Sequence, residues 1–255
     1  MFVDVHCHLS LPDFDTDRET IIETMTRKSV SLLVDPGTDV ESSKKAIELA
    51  AGNSMIYANV GLHPHETSRS LPDGIFGELA ELARAPKVVA IGEIGLDYHY
   101  PDHNPASQRE AFRTMLRIAK QLDLPVVIHC RDAWEDLFAI LDEERNSSLR
   151  GMMHCFSGDI DIARRSIRLG FEISIPGTLT YKRSTLPEVV RKIPIRHLLT
   201  ETDAPYLSPV PHRGKRNSPL NVHLVTEAIA VIKDISVKNM AECIENNAKR
   251  LFRLA

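Results

Sequence analysis

Short apolar, β-branched runs alternate with longer amphipathic stretches along this 255-residue chain. That alternation constrains the fold more than any other feature. Strands are read at Phe2–His8, Val30–Asp35, Ile56–His63, Val88–Leu96, Val126–Arg131, Met152–Phe156, Phe171–Ile175 and His197–Asp203. Helices are read between them at Arg18–Lys28, Val40–Ala51, Gly74–Ala85, Pro105–Asp123, Ala133–Glu144, Ile160–Leu169 and Ser184–Arg191, with Asn221–Lys233 and Val237–Leu251 closing the chain. The clearest start is at Asn104-Pro105, where an N-capping side chain precedes a proline whose missing N–H is harmless in a first turn. Strands separated by helices make βαβ units and a parallel sheet. About eight such units in a chain of this length predict an α/β protein, a single (β/α)₈ TIM barrel. An open doubly wound sheet is the competitor, but no G-x-G-x-x-G follows the first strand. No repeat or linker interrupts the pattern, so residues 1–255 read as one domain.

The formal net charge is −4, which argues against coating nucleic acid by bulk electrostatics and leaves room for a local basic patch. Cys7, Cys130, Cys155 and Cys243 make no close-spaced framework and read as reduced thiols. Met-Phe-Val-Asp-Val-His is no signal peptide, and no apolar run is long enough to span a bilayer. The expectation is a cytoplasmic protein with no membrane contact and no obligate protein partner.

Chemistry concentrates where apolar runs end. His6 and His8 alternate with Cys7, so both imidazoles fall on one face of the first strand, with Asp4. Glu93 follows Val89-Ala90-Ile91-Gly92, His129 follows Val127-Ile128, His154 follows Met152-Met153, and Asp203 lies three residues after Thr200. Barrel enzymes keep their active sites at the carboxyl ends of the strands. Four imidazoles and two carboxylates gathered there cannot all be buried cheaply without a cation to neutralise them. His6, His8, Glu93, His129, His154 and Asp203 are therefore read as metal ligands. His63 and His65, at the end of the third run, are read as substrate contacts rather than ligands. Arg131 shares a face with His129 and reads as an anion clamp. Lys182-Arg183 and the basic segment Pro211 to Asn217 follow the last two strands and point to an anionic substrate. Trp134 reads as packing.

The chain resembles the TatD family of metal-dependent deoxyribonucleases, within the amidohydrolase-like barrels. The resemblance rests on His6-Cys7-His8, Val60-Gly61-Leu62-His63-Pro64-His65, Ile91 through Tyr98, Pro125 through Arg131, His154-Cys155-Phe156-Ser157-Gly158, Glu201-Thr202-Asp203-Ala204-Pro205 and Arg213-Gly214-Lys215-Arg216-Asn217, in that order. It departs from the family pattern at Val5, usually a small residue, at Ser10, usually Asp or Asn, and at Ser218, usually acidic. The resemblance implies a metal-dependent hydrolase with two divalent ions per chain (Mg²⁺, Mn²⁺ or Zn²⁺). His6, His8 and Asp203 would hold one ion, Glu93 would bridge to the second, and His129 and His154 would complete it. Asp203 would act as base and Glu201 would orient a ligand from behind. The implied activity is exonuclease-type hydrolysis of DNA, with RNA as a further substrate. Deacylation of D-aminoacyl-tRNA or other ester and amide hydrolysis is the alternative, and a non-catalytic metal-binding barrel is the alternative of another class.

Overall fold

A computed structural model describes residues 1–68, 71–145 and 148–254. In chain order its regular elements are β1 (Phe2–Asp4), α1 (Arg18–Arg27), β2 (Val30–Pro36), α2 (Val40–Gly52), β3 (Ile56–Val60), α3 (Ile75–Leu82), β4 (Val88–Asp97), α4 (Pro105–Leu122), β5 (Val126–Arg131), α5 (Trp134–Glu143), β6 (Gly151–Met153), α6 (Ile160–Arg168), β7 (Phe171–Ile175), α7 (Leu186–Lys192), β8 (Leu198–Thr200), α8 (Val222–Lys233) and α9 (Val237–Phe252). The eight strands follow one another in sequence order in one sheet, with helices between them, the (β/α)₈ class expected from the alternation. The chain separates into two units, Met1–Asp35 with Cys155–Arg168 and Glu172–Ala255, and Pro36–His154 with Leu169–Phe171.

In the first unit β1 pairs in parallel with β2, and β7 with β8. β8 also lies against β1, because Thr200 Oγ1 donates to the Val3 carbonyl at 2.7 Å and the Val5 N–H to the Thr200 carbonyl at 3.0 Å. In the second unit β3, β4, β5 and β6 pair in parallel. Val126, Val127 and Ile128 are all buried, as strands covered on both faces must be. α4 shows the complementary pattern: Ala111, Phe112, Met115, Leu116, Ile118 and Ala119 are buried at helical spacing. Its Asn104 side chain accepts from the Ser107 N–H at 3.1 Å, the cap read from the sequence.

The strands end sooner than the apolar runs. β1 stops at Asp4, β3 at Val60, β6 at Met153 and β8 at Thr200, so His6, His8, His63, His154 and Asp203 all lie beyond regular pairing. The backbone there makes single bonds instead of a ladder. The Cys7 N–H donates to Val34, His8 to Ala204, Asp203 to His6, and His154 to Ile128. His6 and His8 keep a common side past the end of the ladder, with their Nε2 atoms 3.3 Å apart, whereas Asp203 leaves the extended region at φ of 53°.

β4 is shaped for its neighbours. Ile91 stands opposite Val126 but Ile94 opposite Ile128, so β4 carries an extra residue at Gly92-Glu93. A bulge of this kind re-aims a side chain. Gly95 has φ of 142°, and a Cβ there would lie 1.9 Å from the His129 carbonyl oxygen. Only glycine permits β5 to approach so closely.

Candidate metal centre

The first unit gathers His6, His8 and Asp203. The two Nε2 atoms are 3.3 Å apart. Asp203 Oδ1 is 3.7 Å from His6 Nε2 and 3.5 Å from His8 Nε2. Three donor atoms of two residue types thus face one point, with His6 and His8 buried. The cluster is braced from behind. Asp4, fully buried, accepts from the Thr202 N–H at 2.9 Å, from Thr202 Oγ1 at 2.5 Å and from the His6 N–H at 3.3 Å. Burial pushes its pKa up to about 8 against those three bonds. Asp35 holds the loop after β1, accepting from the Ser10 N–H at 2.8 Å and Ser10 Oγ at 3.0 Å. Burial outweighs His8 and Ser10 and raises Asp35 to about 7. Ser10 therefore serves as a donor to a carboxylate.

The second unit gathers His63, Glu93, His129 and His154 around a single oxygen. Glu93 Oε1 lies 2.9 Å from His154 Nε2, 3.0 Å from His129 Nδ1 and 3.4 Å from His63 Nε2. Burial alone would raise the Glu93 pKa, but His154, His63 and His129 outweigh it and hold the carboxyl well below its usual range. His63 is brought down to about 4 by burial, which its interaction with Glu93 only partly offsets, so its ring is neutral and offers a lone pair at ordinary pH. The His129 ring spends its other nitrogen, Nε2, on Asp97 Oδ2 at 3.0 Å.

The donor set suits a divalent cation. Each unit presents imidazole nitrogens and a carboxylate within 4.8 Å of one another, His6/His8/Asp203 in one and His63/Glu93/His129 in the other. Imidazole with carboxylate fits Zn²⁺, Mn²⁺ or Co²⁺. A carboxylate behind a ligating imidazole fixes its ring and tautomer, and Asp97 stands in that position to His129.

All six residues read as ligands fall in these clusters. His63, read as a substrate contact, is placed against Glu93 and joins Glu93 and His129 in a group that could hold an ion. His65 is half exposed, with Nε2 3.0 Å from Asp97 Oδ2. Arg131 is exposed, its guanidinium 5.5 Å from the centre of the Tyr100 ring. Glu201 is fully buried and accepts from the Cys155 N–H at 2.6 Å and Ser174 Oγ at 2.5 Å, so it pins the backbone beside His154. Cys7 and Cys130 are buried thiols whose pKa burial raises, and no cysteine stands in either cluster. Trp134 packs on Phe138. Sequence reasoning gave no role to Asp97 or Asp35. Both end apolar runs as Glu93 does, and Asp97 shares the parity of Glu93, so the signal was present.

The profile of the TatD related DNase family matches residues 3–253. The chain belongs to the TatD family. It is 41% identical over 255 residues to the uncharacterized metal-dependent hydrolase YabD of Bacillus subtilis, covering all of both chains. It is 35% identical over 256 residues to the uncharacterized metal-dependent hydrolase YcfH of Escherichia coli K12, covering 99% of this chain and 96% of that one. Among solved structures, the TatD homologue YjjV of E. coli K12 superposes with a TM-score of 0.94 at 32% identity, covering 100% of this chain and 98% of the other. A TatD family hydrolase of Entamoeba histolytica superposes at 0.87 with 25% identity and the same coverage. As a TatD protein the chain is a metal-dependent hydrolase. No helix among the described residues is long and apolar enough to cross a membrane.

Proposed function

We propose that this TatD protein is a cytoplasmic phosphodiesterase that trims DNA from an end, with RNA as a second substrate, using two divalent ions per chain. The observation that carries the reading is the presence of two His/carboxylate clusters together with an arginine that lacks an ion-pair partner among the described residues, Arg131. His6, His8 and Asp203 would hold one ion. Glu93, His129 and His154 would hold the other, with His63 at its edge. When bound, the ions supply Lewis-acid charge to the phosphoryl oxygens and make a water acidic at neutral pH. Asp203 accepts the proton of the attacking water, a role that suits a carboxylate only 13% exposed at the rim of its cluster. Arg131 binds the non-bridging oxygens of the substrate, and the half-exposed His65 contacts it from the same side. Glu201 keeps the His154 backbone in place.

End-labelled single-stranded DNA, RNA and D-aminoacyl-tRNA, each incubated with chelated protein to which Mg²⁺, Mn²⁺ or Zn²⁺ is restored, test this reading. Stepwise release of nucleotides from DNA that stops on chelation is expected. Deacylation of the aminoacyl-tRNA with both nucleic acids left intact would replace it, and a chain that binds metal yet hydrolyses none of the three would be a binding barrel.

A further inference from the structure

The first unit contains a cavity of about 400 Å³ lined by Thr178, Tyr181, Lys182, Arg183, Ser184 and Arg213, none of which belongs to either metal cluster. Its residues come from the segments that follow β7 and β8, and loops at these positions frequently bind phosphate in barrels of this class. The volume is that of a ligand pocket, which runs from roughly 300 to 1,000 Å³. Three of the six lining residues are cations and none is an acid. Among the described residues, Lys182, Arg183 and Arg213 have no carboxylate partner. The basic run that carries Arg213 divides in two. Arg216 is tied to Asp17 and lies over the Phe14 ring, so it is spent on structure. Arg213 instead rests on the Tyr181 ring, 4.3 Å from its centre, which orients the guanidinium without neutralising it.

The cavity wall is fixed in advance. Tyr181 OH donates to the Ser208 carbonyl at 2.9 Å, Ser208 Oγ to the Lys215 carbonyl at 2.6 Å, and the Val210 N–H to Thr180 Oγ1 at 2.9 Å. The first and third of these bonds tie the two loops to each other, and the second braces the loop after β8. The Thr178 and Ser184 hydroxyls add neutral polar groups beside the cations. A planar guanidinium with two further cations and hydroxyls suits an oxyanion with several equivalent oxygens.

We propose that this cavity binds a second phosphate of the substrate strand, displaced from the bond that is cut. The proposal rests on the phosphodiesterase reading and adds to it a reason for preferring a strand over a small ester.

Fluorescence anisotropy with a labelled, phosphorothioate-linked decathymidylate, which keeps its charge but resists cleavage, measures binding to the metal-loaded protein without chemistry. Lys182→Ala/Arg183→Ala/Arg213→Ala is expected to weaken binding tenfold or more. The slope of log affinity against log salt should shrink by about 0.7 for each phosphate of the single strand that the variant no longer neutralises. Lys182→Glu alone should act in the same direction. Turnover of bis(p-nitrophenyl) phosphate, which has no second phosphate, should move less than twofold. Affinity and salt slope within twofold of wild type would overturn the proposal, as would a wild-type protein that does not bind the oligonucleotide. An equal loss of small-ester turnover would overturn it too, by placing the effect in folding or at the metal clusters. Displacement by millimolar inorganic phosphate as effective as displacement by oligonucleotide would assign the cavity to a free anion instead. A wild-type protein that binds this strand but turns over neither bis(p-nitrophenyl) phosphate nor an unmodified decathymidylate would count against the phosphodiesterase reading alone.

Discussion

Glu93 shows how much one residue depends on its surroundings. Its Oε1 has three imidazole nitrogens within 3.4 Å, and those rings keep it ionised despite burial. Asp203 works in a simpler setting, with two imidazoles and part of its side chain open to solvent. Asp203→Asn should therefore leave folding and strand binding largely intact while lowering single-turnover hydrolysis on the order of a hundredfold to ten-thousandfold, with weaker metal binding adding to the loss. Arg131→Ala should show the opposite balance, weakening the binding of anionic substrates more than the chemical step. Near-normal turnover by Asp203→Asn at saturating metal would remove Asp203 as base and direct attention to Glu201. At this scale the sequence is unusually readable. His6, His8, Glu93, His129 and His154 each stand at the carboxyl end of an apolar run, where a polar residue needs a reason to be, and Asp203 follows Leu198-Leu199 after the polar Thr200-Glu201-Thr202. Asp97 carried the same signal, but its meaning depends on two imidazoles, His129 and His65, that meet it only in three dimensions.

Elements place these residues by small departures from regularity. The bulge in β4 presents Glu93, and Gly95 admits β5 close beside it. The segment that carries Asp203 is held by Asn217, which is fully buried. Its Nδ2 donates to the Thr202 carbonyl at 2.9 Å and the Tyr206 carbonyl at 2.7 Å, while Oδ1 accepts from the Ser218 N–H and from Asn221 Nδ2. Removing a buried side chain with four such bonds takes the donor from the buried Thr202 carbonyl and breaks the other three bonds, at a cost of about 2–4 kcal/mol. Asn217→Ala should lower the denaturation midpoint accordingly and also weaken metal binding at the His6/His8/Asp203 cluster. Chemical denaturation and metal titration of the same variant read both effects, and a stability within about 0.5 kcal/mol of wild type, the scatter of ordinary surface substitutions, would contradict the role given to Asn217. Helix positions were legible from periodicity and caps to within two residues, except that the third helix ends at Leu82, three residues before the expected Ala85. Strand ends were not, because the sequence alternation runs on past the ladder at His6, where only single backbone bonds remain, and because Asp203, with φ of 53°, leaves the extended region altogether.

At the scale of the molecule, the order of the strands was legible because connections in βαβ chains are short and local. The division of the chain into two units was not, because no change of composition marks Asp35 or His154. We read residues 1–255 as one domain and expect a single transition in calorimetry; two separated transitions, each assignable to one unit, would contradict that reading. The central claim is that catalysis depends on two ions, each held by its own set of side chains. Metal content per chain, measured on protein reloaded after chelation, tests it most directly when each set is disabled in turn. Wild type should hold two ions, His6→Ala/His8→Ala one, and His129→Ala/His154→Ala one, with every variant folded by circular dichroism. A folded wild-type chain that never holds more than one ion, or double variants that both retain two, would contradict the account.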